Sequence, residues 1–152
     1  MNIKTGVALV SAVFLFLLDR ILKNWAVNSL YNQKISLIKE WLEMELFQNK
    51  NIAFSIKIPE FIIVPVIVLI IIGLAYYFIK AIKSSHIIKA TSFLFVIIGA
   101  ISNLYDRLQF GYVIDFINFK YWPVFNIADV MISAGIIGLI WTLFYYKNTN
   151  KR

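Results

Sequence analysis

The chain has no cysteine and a single histidine, His86. The first absence excludes a disulfide framework, a thiol nucleophile and a cysteine metal site. The second removes bis-histidine haem ligation and any multi-histidine metal cluster. Charge is scarce as well: only 15% of the 152 residues are Asp, Glu, Lys or Arg, against about 25% in ordinary soluble domains. No internal repeat, low-complexity tract or flexible linker is visible, so a single integral membrane domain over residues 1–152 is expected. What is abundant is apolar. Hydrophobic residues make up 61% of the chain and aromatic residues 16%, with a mean hydropathy of +0.77. A water-soluble enzyme of ordinary surface is thereby excluded, and the chain reads as a membrane protein.

Residues 61–79 form a run of 19 without a charge, enough at ~1.5 Å per residue to cross a hydrocarbon core of ~30 Å. Residues 130–146 supply 17 more uncharged positions and residues 90–105 supply 16. Near the start, residues 5–18 are uncharged before Asp19, Arg20 and Lys23 interrupt a stretch that resumes with Trp25, Ala26 and Val27. No small-residue cleavage site precedes Asp19, so this reads as a retained first helix and not a cleaved leader. Four spans are expected, at about 5–27, 61–79, 88–105 and 127–146. Between the first two, residues 28–60 alternate in short bursts (Lys34-Ile35-Ser36-Leu37, Glu43-Met44-Glu45-Leu46), the period of half-buried strands. The fold class is therefore an all-α transmembrane bundle of four helices with a small outer β-sheet between helices 1 and 2. Residues 106–125, with Gly111 and Pro123, read as a compact connector.

Lys4, Lys80, Lys83, Lys89, Lys147, Lys151 and Arg152 lie at the termini and in the second link with no acid among them, and they account for the whole formal net charge of +7. The positive-inside rule then puts both termini and that link in the cytoplasm. A nucleic-acid binder would gather these charges on one face, whereas here they are split among three membrane-flanking pieces. Nucleic acid is not expected as a partner; anionic lipid is.

Ionisable and amide side chains near membrane depth are costly, which makes each a functional candidate. They cluster at the outer helix ends: Asp19, Lys23, Asn103, Asp106, Arg107, Asp115, Asn126 and Asp129. Asp115 and Asp129 flank one short connector. If they face each other in a low dielectric they would share a proton, one acting as acid and one as base, which is the equipment for activating water against a peptide carbonyl. Structural readings compete. Asp19 and Lys23 have the spacing of a helical ion pair, Asn126 and Asp129 that of an N-cap with an acid in the first turn, and Asp115 could be a solvated loop acid. Asn103 and Arg107 share a face, where they could brace a carboxylate or snorkel to headgroups. His86 is expected to be exposed and without chemistry, and Trp25, Trp41, Tyr121, Trp122, Tyr145 and Tyr146 fit an interfacial belt.

The stretch GAISNLYDRLQFGYVIDFI and the later FNIAD resemble the bacterial lipoprotein signal peptidases (signal peptidase II), whose pattern runs G-A-x-G-N-x-x-D-R, G-x-V-x-D-F and F-N-x-A-D. LLDRILK and NKNIAFS are similar to that family's D-x-x-x-K and N-x-G-A-A-F segments, so the resemblance runs in order along nearly the whole chain. It implies an intramembrane aspartyl endopeptidase of the bacterial cytoplasmic membrane that removes signal peptides from diacylglyceryl-modified prolipoproteins, cutting before the lipidated cysteine. By motif position it implies Asp115 and Asp129 as the catalytic pair and Asp19, Lys23, Asn49, Asn103, Arg107 and Asn126 as supporting residues. No cofactor or metal is expected, and the protein is expected to be a monomer among membrane lipid. Ser102, Asn51 with Ile52, and Val130 depart from the family pattern. The rival expectation is a non-enzymatic four-helix carrier or assembly subunit that uses the same polar residues as a transport path.

Overall fold

The computed structural model describes residues 3–51 and 59–149. Four helices run alternately up and down: α1 (Ile3–Ser29), α2 (Glu60–Lys83), α3 (Ile87–Phe110) and α4 (Ile127–Thr149). Strands β1 (Lys34–Ile38), β2 (Leu42–Asn49) and β3 (Val113–Phe119) form one antiparallel sheet in the order β1-β2-β3. The sheet sits at the end of the bundle where α1 and α3 finish and α2 and α4 begin.

Phe61–Lys83, Ile87–Phe110 and Ile127–Phe144 are long and apolar enough to cross a membrane by length and composition. α1, expected as a fourth span, carries Asp19, Arg20 and Lys23 along its length. Its charges nevertheless point inward. Asp19 and Lys23 are fully buried, while Val10, Phe14, Leu17 and Ile21 are exposed. That arrangement inverts a soluble amphipathic helix, as expected where the surrounding solvent is lipid.

α3 is the central helix and packs against the other three. With α2 it buries Ala81, Ala90, Phe93 and Ile97; with α1 and α4 it buries Leu94 around Ala12 and Met131. A third cluster of Ala26, Leu30 and Phe116 seats the sheet on the end of α1.

The connector expected at residues 106–125 divides in two. α3 continues through Asp106 and Arg107 and stops only at Gly111, whose φ of 76° is left-handed and whose N–H caps the Arg107 carbonyl at 2.9 Å. The chain then enters β3, a third strand that alternation did not reveal because Val113–Phe116 are buried on both faces. β1 and β2 fall within the expected sheet segment; its residues 52–58 lie outside the described ones. Trp41, Tyr121 and Trp122 are exposed around the sheet, and the side chains of Tyr145 and Tyr146 lie outside the described ones. His86, expected to be exposed, is half-buried ahead of α3 and lines a separate apolar cavity of about 470 Å³ at the opposite end of the bundle.

Candidate active site

Asp115 is on β3 and Asp129 is in the first turn of α4. The β2–β3 register pairs Phe47 with Asp115 and Asn49 with Val113 after an irregularity between Met44 and Phe47. These four residues line one cavity of about 550 Å³, whose far wall carries Asp129, Asn103 and Ser133. Two carboxyls remote in topology thus border the same space.

Asn126 joins them. Its side-chain Nδ2 donates to Asp115 Oδ1 at 2.6 Å, and its Oδ1 accepts the Asp129 backbone N–H at 2.9 Å. The Asn126 N–H in turn donates to Asp129 Oδ2 at 3.2 Å. This reciprocal pattern is a capping box, so the capping reading holds, and the cap itself touches both acids. Asn103 Nδ2 donates to the remaining Asp129 oxygen, Oδ1, at 2.8 Å, and Asn49 Nδ2 donates to Asp115 Oδ2 at 2.8 Å.

Asp115 is only 1% exposed, so it is not a solvated loop acid. Burial pushes its carboxyl up to about 7, the negative charge of Asp129 acts in the same direction, and the hydrogen bonds from Asn49 and Asn126 only partly oppose this. At neutral pH Asp115 is therefore poised to hold or release a proton.

Beneath the pair lies a buried charge cluster. Lys23 Nζ reaches Asp106 Oδ2 at 2.7 Å, Asn103 Oδ1 at 2.8 Å and Asp19 Oδ2 at 3.1 Å, one acceptor for each of its protons. The expected Asp19–Lys23 pair is present, within a larger network that also contains Arg20, whose Nη1 is 2.6 Å from Asp106 Oδ1. Asp106 is among the clustered candidates of the sequence, but neither it nor Arg20 carries a role there. The signal was there: two cations on one helix near membrane depth need a second acid beside Asp19, and Asp106 is the acid that the adjacent helix offers.

Arg107 does not snorkel. It is 8% exposed, and its Nη2 donates to the Asn51 carbonyl at 2.9 Å. The Asn51 N–H donates to Asn49 Oδ1 at 3.0 Å, so Arg107 reaches Asp115 through the end of β2. Of the family departures, Ser102 is buried and its hydroxyl donates to Asp19 Oδ2 at 2.6 Å. Asn51 serves through its backbone, Ile52 lies outside the described residues, and Val130 is exposed away from the cavity. Among the described residues no group of three or more His, Cys, Asp or Glu is placed to hold a metal ion.

A multi-pass bundle of apolar helices that closes one end around two hydrogen-bonded carboxyls is a membrane-embedded protein equipped for proton transfer. The chain belongs to the signal peptidase II family: the family model described as Signal peptidase (SPase) II matches residues 11–145. It is 39% identical over 134 residues to the lipoprotein signal peptidase of Clostridium novyi (strain NT), covering 84% of this chain and 90% of that one. It is 41% identical over 148 residues to the lipoprotein signal peptidase of Aquifex aeolicus (strain VF5), covering 90% and 84%. A solved bacterial membrane enzyme superposes with a TM-score of 0.87 at 26% identity, over 97% of this chain and 92% of that one.

Proposed function

We propose that this chain removes the signal peptide from diacylglyceryl-modified prolipoproteins, cutting before the lipidated cysteine, with Asp115 and Asp129 as its acid-base pair. The observation that carries the reading is that Asn126 donates to both carboxyls, from its side chain to Asp115 and from its backbone N–H to Asp129, at the wall of one cavity. The names of the relatives supply the substrate class.

Asp115 starts protonated and Asp129 ionised. Asp129 sits at the positive end of the α4 dipole and accepts an N–H on each oxygen. Water adds to the scissile carbonyl carbon while its proton passes to Asp129, and Asp115 gives its proton to the carbonyl oxygen. In the second step Asp129 protonates the departing nitrogen. One hydroxyl of the gem-diol returns a proton to Asp115 as the C–N bond breaks, and both carboxyls regain their starting states.

The acids gather at one end of the bundle, which suits chemistry on a membrane-anchored peptide better than a transport path through it. α1 serves as the fourth span, since its lipid-facing side is apolar. Both termini face the cytoplasm and the sheet end faces outward, in the bacterial cytoplasmic membrane, because the unbalanced cations Lys80, Lys83 and Lys89 lie at the other end. The chain acts as a single domain and a monomer. Substrate acyl chains add affinity by burial, at ~0.8 kcal/mol per methylene. Incubating purified protein with lipid-modified and unmodified precursor tests the reading. Loss of the signal peptide from the modified form, and much slower loss from the unmodified one, is expected. Equal rates would make it a general peptidase, and no cleavage of either would favour the carrier.

A further inference from the structure

Each acid of the pair follows a residue whose backbone N–H is held by another aspartate. The Ala128 N–H, just before Asp129, donates to Asp19 Oδ1 at 3.0 Å. The Ile114 N–H, just before Asp115, donates to Asp106 Oδ2 at 3.3 Å. Lys23 joins these two holding carboxylates, at 3.1 Å from Asp19 and 2.7 Å from Asp106, and its third contact is Asn103, which bonds Asp129. Asp19, Lys23 and Asp106 are all fully buried, so no water replaces any member of the chain. From these contacts we propose that the Asp19–Lys23–Asp106 bridge is a positioning device that fixes the spacing of Asp115 and Asp129 and sets the charge around them. The inference rests on the reading of that pair as the acid and base, and it adds Asp106 and Arg20 to the residues that serve the reaction.

The alternative is that the bridge is only helix glue. Three features separate the two. The bridge grips β3 and α4 at the peptide units next to the acids, not at remote positions. It supplies three of the five full charges near the pair: these are Asp19, Arg20 and Lys23 from α1 and Asp106 and Arg107 from α3, while β2 and the turn before α4 contribute the neutral amides Asn49 and Asn126. Finally, its lysine and two aspartates leave a net negative charge that Arg20, 21% exposed in its side chain, offsets from the rim.

Charge substitutions should then move the pH profile of kcat/KM in opposite directions. Asp106→Asn removes a negative neighbour, so the pair gives up protons more readily and both limbs shift to lower pH by about one unit. Lys23→Met removes the positive charge and both limbs shift to higher pH by a similar amount. Arg20→Gln shifts them the same way as Lys23→Met but by less, because solvent reaches its guanidinium. Lys23→Met combined with Asp106→Asn should bring the limbs back near their original pH while kcat stays about tenfold or more below wild type, since the bridge is still missing.

The assay is cleavage of one lipid-modified precursor by purified variants across pH. Reduced rates with unmoved limbs in Asp106→Asn and Arg20→Gln would overturn the proposal and leave the cluster as helix glue. Wild-type kcat in the double variant would overturn the positioning claim. If Lys23→Met fails to insert, Asp106→Asn and Arg20→Gln still have to shift in opposite directions. Full activity in Asp115→Asn or Asp129→Asn would instead sink the reading of the pair itself.

Discussion

Helices α3 and α4 meet twice, and the two contacts use different chemistry. At the sheet end they face each other through amides and acids, Asn103 to Asp129 and Asn126 back to Asn103. Deeper in the bundle they close through glycines: a Cβ on Gly99 would lie 2.6 Å from the Ala128 carbonyl oxygen, and one on Gly135 would lie 2.5 Å from Val96 Cγ2. Inside a bilayer apolar side chains gain nothing by leaving lipid for one another, so helices associate through close backbone approach and hydrogen bonds. The glycine contact fixes how near α3 and α4 stand. The amide contact, held at that separation, orients carboxyls. The deep half should therefore govern stability and the sheet end turnover.

The sharpest way to break this division is to neutralise an acid. Asp115→Asn and Asp129→Asn preserve shape and cannot exchange a proton, so each should lower kcat by about 10³-fold or more while insertion and melting temperature stay near wild type. Substantial turnover in either variant would remove that residue from the pair. Next in size is Arg107→Ala. Its loss frees the Asn51 carbonyl and loosens Asn49 against Asp115, for an expected drop of about tenfold, or ~1.4 kcal/mol. Lys39→Ala, on the exposed turn of the sheet, should change nothing. Equal effects of the two would leave Arg107 without a role at the site.

The raised Asp115 carboxyl gives a pH test of the same region. Its folded-state value of about 7 lies above that of an ordinary aspartate, so the proton is retained below about 7 and lost above it. If Asp115 is the acid, kcat/KM falls as pH rises through about 7. A profile that stays flat from about pH 5 to 9 would show that proton to be unnecessary.

Much of this was legible in the sequence, and the failures have physical causes. Runs of uncharged residues located α2, α3 and α4 because lipid-facing composition is what a span requires. α1 was found only by treating its charges as an interruption, which is right for a helix whose polar side faces its neighbours. β3 escaped because Val113–Phe116 are buried on both faces and so lack alternation; the cluster of β-branched and aromatic residues between Gly111 and Pro123 was the available signal. Spacing alone could not choose between cap and functional group for Asn126 and Asp129, and the two readings do not compete in space, since the residue that caps α4 also bonds both acids. Spacing puts Arg107 in this neighbourhood but does not give its contact with the Asn51 carbonyl, which the fold of the β2 end decides.

The smallest expected effects on turnover come from two glycine substitutions that separate packing from helix propensity. In Gly135→Ala the new Cβ would meet Val96 Cγ2 at 2.5 Å and the Ser92 carbonyl oxygen at 2.6 Å. The latter is backbone that cannot rotate away, so α3 and α4 must move apart. The expected cost is about 1–3 kcal/mol of stability, read as a lower melting temperature in detergent. Gly73, by contrast, has nothing within 4 Å of an added Cβ. There Gly→Ala should be neutral or gain up to about 1 kcal/mol from helix propensity. At matched amounts of folded protein, Gly135→Ala should retain most of its kcat, because Asn103, Asn126 and Asp129 are held by their own bonds nearer the sheet. If Gly135→Ala instead abolishes turnover while its melting temperature is unchanged, the deep contact sets the geometry of the acids directly, and the division between a packing half and a reacting end does not hold.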